Sequence, residues 1–276
     1  MTERVKADET NEAKKLIIKK EFEAIQKIYQ EDPKSNSFNA LVLGESGSGK
    51  SFMLHTCRGP VHVDSFDPGG SKGLKKHIEQ GLVMVDSRFE NEDPMKPTAF
   101  TLWEKEMERR LRMGYFDYIG TYVLDSSTTW ADSIMNALLK RAGIPGAAPR
   151  FTKDYTPQKT TIRNWLKKIL SFPCDVIVTG HLEAKEDKES GRMVYRYMTT
   201  GQGTTTIPLL FDEIYVMDPK DGSKGINYRL LTASTGTNLA RSRLAQDGLL
   251  DKYEEPNIKK ILKKAGYSTD DKPKLR

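Results

Sequence analysis

Gly44-Glu45-Ser46-Gly47-Ser48-Gly49-Lys50-Ser51 is a complete G-x-x-x-x-G-K-[S/T] string, and its reading decides the fold. The glycines let the backbone curl so that successive N–H groups point inward and cradle phosphate oxygens. A helix after the loop adds the positive end of its dipole. Lys50 would reach the β- and γ-phosphates of a nucleotide, and the Ser51 hydroxyl would ligate Mg²⁺. With the adjoining Phe52, the stretch 44–52 forms the expected nucleotide contact. The apolar run 39–43 (NALVL) precedes the loop and a helix-compatible run, 50–57, follows it. That context argues against the alternative, a flexible glycine–serine turn.

Working outward, short apolar runs alternate with helical patterns. Strands are expected at 60–65 (PVHVDS), 82–86 (LVMVD), 121–125 (TYVLD) and 174–179 (CDVIVT). Helices are expected at 97–113, 130–142 and 160–170, with a proline-bearing loop over 143–158. Near-continuous apolar strands separated by helices point to a parallel sheet covered on both faces. After about residue 201, the runs 211–217 and 226–234 flank Asp218-Pro219-Lys220-Asp221-Gly222, a hairpin signal that extends the sheet with antiparallel strands. Upstream, residues 11–30 read as an amphipathic helix with Ile18, Phe22, Ile25 and Tyr29 at helical spacing, ended by Glu31-Asp32-Pro33. This helix is either a docking arm or a solvated helix packed on the core. The expected organisation is a helical arm (1–37), an ATPase domain (38–250) and a basic tail (251–276) that frays.

The chain has 276 residues, 37% of them hydrophobic, enough to bury a core and to exclude wholesale disorder. No stretch is apolar enough to span a bilayer, and the charged N-terminus lacks the apolar segment of a secretory signal. Two cysteines, Cys57 and Cys174, exclude a disulfide scaffold and a cysteine-built zinc site and suit a reducing cytoplasm. The net charge of +6 fits a nucleic-acid binder and an ordinary basic enzyme equally.

A carboxylate is needed beside the magnesium. Asp125 ends the apolar strand Tyr122-Val123-Leu124, at the C-terminal edge where parallel sheets bind ligands. Its other reading is a helix N-cap. Asp64 and Asp67 follow PVHVDS and lead into Pro68-Gly69-Gly70, where either could orient a water for attack on the γ-phosphate. Asp86 is a weaker rival.

The P-loop, VDSFDPGG, YVLDSSTTWADSIM, VIVTGHLE and LTASTGTNLARSRL occur in the order seen in RecA-like ATPases. Over about residues 38–245 the chain resembles phage-encoded nucleotide-binding proteins, including RecA-like single-strand annealing ATPases. The resemblance implies an α/β RecA-like P-loop NTPase with ATP and Mg²⁺ as cofactors, Ser51 and Asp125 at the metal. Asp67 stands where such ATPases keep a catalytic glutamate, one methylene longer. His181 matches the polar residue that senses the γ-phosphate, its alternative being a capping or merely exposed histidine. Arg241 and Arg243 match a basic pair inserted into the neighbouring subunit's ATP site, the alternative being a solvated pair. The implied partners are single-stranded DNA, further copies of the chain and a single-strand-binding protein, with no membrane role, in the cytoplasm of the host cell. Two segments interleave basic and aromatic residues as single-strand binders do: 143–158, with Arg150, Phe151, Lys153 and Tyr155, and the segment after His181, with Lys185, Lys188, Arg192, Tyr195, Arg196 and Tyr197. The latter also reads as an ordinary hairpin with residues 189–192 at its tip.

Thr152-Lys153-Asp154-Tyr155 lacks the order of a guanine-binding motif, and no LSGGQ-like transporter signature is present. A small-molecule kinase, and an assembly module in which ATP sets the state without turnover, remain alternatives.

Overall fold

The run 39–43 forms β1 (Asn39–Leu43) in the interior of an eight-stranded sheet. The other strands are β2 (Val61–Ser65), β3 (Val83–Asp86), β4 (Thr121–Asp125), β5 (Asp175–Gly180), β6 (Leu182–Glu186), β7 (Met193–Tyr197), β8 (Glu213–Met217), β9 (Lys220–Gly222), β10 (Gly225–Asn227), β11 (Leu230–Leu231) and β12 (Tyr253–Glu254). The helices are α1 (Thr2–Glu31), α2 (Lys50–Met53), α3 (Lys75–Glu79), α4 (Ala99–Arg112), α5 (Ser127–Arg141), α6 (Tyr155–Ile169), α7 (Gly203–Thr206) and α8 (Ile258–Lys264). This computed structural model describes residues 2–31, 36–188, 191–199, 203–223, 225–245 and 248–273, and within α1 the side chains of residues 12–28. The side chain of Tyr29 and residues 189–190 of the expected hairpin tip lie outside the described residues.

The sheet order is β12-β11-β8-β1-β5-β4-β2-β3. The six strands from β8 to β3 are parallel, and β11 and β12 add antiparallel pairings beyond β8. A mainly parallel sheet with an antiparallel C-terminal extension is therefore the architecture, as expected. Alternation along the strands feeds two cores, because successive side chains point to opposite faces. Leu41, Tyr122, Leu124, Val176 and Val178 pack with Trp103, Trp130 and Leu166 of α4, α5 and α6. Ala40, Val42, Val123 and Ile177 pack instead with Met53, Leu74 and Ile258, Ile261 and Leu262 of α8.

Three expectations change. Helix α6 begins at Tyr155, not Thr160, so the loop after α5 is shorter. Pro157 lies in the first turn, where its missing N–H had no intrahelical partner to lose. The C-terminal segment does not fray. Ile258, Ile261 and Leu262 share one helical face within a lysine-dense run and are buried, and Asn257 caps α8 by accepting from the Lys260 N–H at 3.0 Å. Beyond it, Lys272 Nζ donates to the carbonyls of Asp117 (3.0 Å) and Pro173 (2.8 Å). The chain divides at Ser37/Phe38, and residues 38–276 form one unit. The other unit carries α1, whose Leu16, Ile18, Phe22 and Ile25 are all exposed, so this helix is not packed on a core of its own. No helix among the described residues is long and apolar enough to cross a membrane.

Asp64 is fully buried on β2 and anchors the α4 face. Its Oδ2 accepts from Trp103 Nε1 (2.9 Å) and Tyr122 Oη (2.8 Å), and its Oδ1 accepts from Arg110 Nη1 (2.8 Å) and lies 2.9 Å from His62 Nε2. Burial pushes the carboxyl pKa up, but His62, Arg110 and the Tyr122 hydroxyl outweigh it and bring the value to about 2. Because the folded value lies below the ordinary one, this stabilisation is present above about pH 4 and is lost as pH falls toward about 2. Removing one member of a buried charged set strands the others without partners. Asp64→Ala should therefore lower stability by about 3–5 kcal/mol in urea denaturation, and Arg110→Ala by a similar amount.

Candidate nucleotide-binding site

The C-terminal ends of β1, β2, β4 and β5 bring the site together. Directly after β1, Gly47 and Gly49 take φ of 75° and 95°, the left-handed region open to glycine, and this curls the loop into the start of α2. Lys50 is buried, and its Nζ donates to the carbonyls of Gly44 (2.9 Å) and Glu45 (2.8 Å), so the ammonium lies across its own loop. Burial lowers the Lys50 pKa, opposed by the charges of Asp125, Asp67 and Glu45. Ser48 Oγ is buried without a hydrogen-bond partner.

Ser51 Oγ donates to Asp125 Oδ2 at 2.7 Å, across the intervening strand β5. The other oxygen of Asp125 accepts from Thr179 Oγ1 at the end of β5. Burial raises the Asp125 pKa, and the Thr179 and Ser51 hydrogen bonds only partly offset it. A buried carboxylate and a hydroxyl side by side are hard oxygen donors whose charge calls for a cation, so these residues fit Mg²⁺. Helix α5 starts one residue beyond Ser126, and Asp125 itself makes no capping bond.

Asp67 faces the same cavity from the turn after β2. Its Oδ1 accepts from Ser126 Oγ (2.6 Å) and Thr129 Oγ1, and its Oδ2 lies 3.1 Å from His181 Nε2. Burial pushes its pKa up, but the hydrogen bonds from His181, Ser126 and Thr129 win and hold it at about 2. The two aspartates therefore separate: Asp67 lines the cavity, while Asp64 is committed to the buried network and does not. Asp86 is tied to Arg88 and Arg110. His181 also anchors the next element, since its backbone N–H donates to Thr128 Oγ1 (3.1 Å) and its carbonyl accepts from Met198 N (2.8 Å).

The cavity over the P-loop has a volume of about 890 Å³, within the roughly 300–1,000 Å³ usual for small-molecule sites. Lys50, Ser51, Asp67 and His181 line it on one side, and Phe52, Met217, Tyr228 and residues 255–257 on the other. Thr179, Ser126, Thr129, Tyr228 and Met217 had escaped the sequence reading. A threonine closing an otherwise apolar strand was the available signal for Thr179; Tyr228 and Met217 carry no local motif.

A parallel sheet with a phosphate loop after β1 and an extra strand between β1 and the Asp125 strand is the arrangement of RecA-like P-loop NTPases. The sequence pattern of the AAA domain family spans residues 37–244. The chain belongs to that family. No curated protein matches the sequence. Among solved structures, this AAA domain is similar to a KaiC-like protein from Pyrococcus horikoshii OT3 at 11% identity and a TM-score of 0.39, covering 74% of this chain and 81% of that one. It is similar to the flagellar accessory protein FlaH from Methanocaldococcus jannaschii at 12% identity and 0.36, covering 78% and 83%. It is similar to EscN of the enteropathogenic E. coli type III secretion system at 12% identity and 0.45, covering 75% and 47%. These are likenesses of fold alone. The AAA domain has the fold of a nucleotide-binding ATPase.

The two late arginines differ. Arg241 is held within its own chain: Nη2 donates to the Phe211 carbonyl at 2.6 Å, and its backbone bridges to Ile214. Arg243 reaches outward, with its side chain 60% exposed and Nη1 on Asp212 Oδ1 at 2.7 Å. Neither lines the cavity of its own chain. Exposed ion pairs contribute about 0–1 kcal/mol, whereas breaking a part-buried bond to backbone costs about 1–3 kcal/mol. Arg241→Ala should therefore lower the melting temperature clearly, and Arg243→Ala should leave it nearly unchanged.

Proposed function

We propose that this AAA domain hydrolyses Mg·ATP, assembles with copies of itself, and acts on single-stranded DNA in phage recombination, annealing or replication. The observation that carries the ATPase reading is the convergence of Lys50, Ser51, Asp125, Asp67 and His181 on one cavity.

Lys50 would exchange the Gly44 and Glu45 carbonyls for the β- and γ-phosphates, which lets a desolvated ammonium meet full negative charge. Mg²⁺, held by Ser51 with Asp125 behind it, would neutralise charge developing on the phosphate oxygens. A carboxylate held at about 2 is a weak base at neutral pH, so Asp67 acts by orienting the attacking water. His181, beside Asp67, is placed to feel the γ-phosphate and pass its presence along the chain to β6 and β7. Arg243, the outward-facing arginine, suits a finger offered to the next subunit.

For DNA, the hairpin of β6 and β7 is favoured over the loop after α5. It starts at His181, and Arg192 and Arg196 are exposed on it. In the loop after α5, Arg150 is bound by Nε and Nη2 to Asp154, although Phe151 is 88% exposed. A second reading, an assembly module with negligible turnover, draws on the three donors already engaged by Asp67.

Lys50→Ala should reduce phosphate release by about 100-fold or more. Arg243→Ala should also be inactive alone, and mixing the two variants should restore hydrolysis, because an intact loop then meets an intact finger. Full activity of Arg243→Ala by itself would exclude the finger. Single-stranded oligonucleotide should stimulate turnover with an effect that falls as salt rises, since phosphate contacts release counterions. Arg192→Ala with Arg196→Ala should remove that stimulation and spare basal hydrolysis.

A further inference from the structure

We infer that the cavity has a built base subsite on the β8 side of the P-loop, in which Tyr228 is the platform for the nucleotide base and holds it by stacking rather than by reading its edge. The inference rests on the nucleotide-site reading given above and adds to it the chemistry of the ligand's other end.

The cavity is polarised across β1. On the β5 side lie the charged groups that suit a triphosphate; on the β8 side lie Met217, Tyr228, Phe52 and Pro256. Met217 and Tyr228 both press on the loop. A Cβ built on Gly49 would lie 3.0 and 3.2 Å from Tyr228 Cδ1 and Cε1, and 3.3 Å from Met217 Cε. The tyrosine ring thus meets the backbone at the start of α2, next to the phosphate cradle, while its side chain remains 42% exposed toward the cavity. A nucleotide whose phosphates lie in the loop would lead its base to this ring.

The segment bearing Tyr228 is held at its root. Asp218 and Arg229 form an ion pair, the Asp218 N–H donates to the Arg229 carbonyl at 2.9 Å, and the Arg229 guanidinium lies 4.0 Å from the Tyr253 ring centroid. Across the cavity, Phe52 projects from α2 with 60% exposure. The polar groups of that wall are engaged in starting α8. Asn257 Oδ1 accepts from Lys260 N, Thr56 Oγ1 donates to Met53 O and accepts from Ile258 N, and Glu255 Oε2 pairs with Lys260 Nζ at 2.5 Å. These groups hold a helix, while aromatic and apolar faces are left for the base. Stacking tolerates any base with a large π-face, whereas strong discrimination needs dedicated edge hydrogen bonds. The ligand class is therefore a purine nucleoside triphosphate, adenine and guanine alike.

The test measures binding of ATP, GTP and inorganic tripolyphosphate to the full chain and to Tyr228→Ala and Tyr228→Phe. Tyr228→Ala should bind ATP and GTP about 5- to 100-fold more weakly. It should bind tripolyphosphate as the parent does, and Tyr228→Phe should match the parent for all three. The parent should bind ATP and GTP within about 10-fold of each other, the range expected without edge readout. Unchanged ATP binding by Tyr228→Ala would overturn the platform. An equal loss of tripolyphosphate would overturn it too, by making Tyr228 a prop for the loop. A parent that binds neither nucleotide nor tripolyphosphate would remove the nucleotide-site reading itself.

Discussion

The buried ammonium of Lys50 is the group around which the site is arranged. Taking a cation out of water costs several kcal/mol unless strong partners replace the lost hydration. Here two loop carbonyls bind it directly, with Asp125 and Asp67 adding charge at longer range. Each partner comes from a different strand end: the loop follows β1, Asp125 closes β4 and Asp67 follows β2. The parallel sheet is what makes this possible, because parallel strands deliver their C-terminal ends to one edge.

The same edge carries a relay of short polar side chains. Thr179 and Ser51 hold Asp125, while Ser126, Thr129 and His181 hold Asp67. The two carboxylates end with opposite tendencies, Asp125 raised by burial and Asp67 lowered by its donors. That divergence separates their chemistry. A carboxylate whose charge burial disfavours suits a bound cation, and one saturated with donors suits water positioning. Asp64, three residues from Asp67, has an equally low value for a different reason and serves the core, where it ties α4 to the sheet through Arg110 and Trp103.

Much of this was legible in the chain itself. The octet 44–51 specified a strand–loop–helix unit because left-handed glycines, a lysine and a hydroxyl at that spacing serve one chemistry. Four apolar strands ending in acids or polar turns announced a parallel sheet. Less legible was the C-terminal segment, where lysines at most positions of α8 masked the three apolar residues on its buried face. Proline in a first turn likewise hid the true start of α6.

Local sequence determined the phosphate loop, the strand alternation that fills two cores, and the presence of acids at strand ends, because those depend on residue type at short spacing. Tertiary structure alone decided which acid does what, which arginine is tethered, and that Tyr228 meets Gly49 across 179 positions of chain. Burial and donor number set the character of a carboxylate or a guanidinium, and both are properties of the packed neighbourhood rather than of the residue.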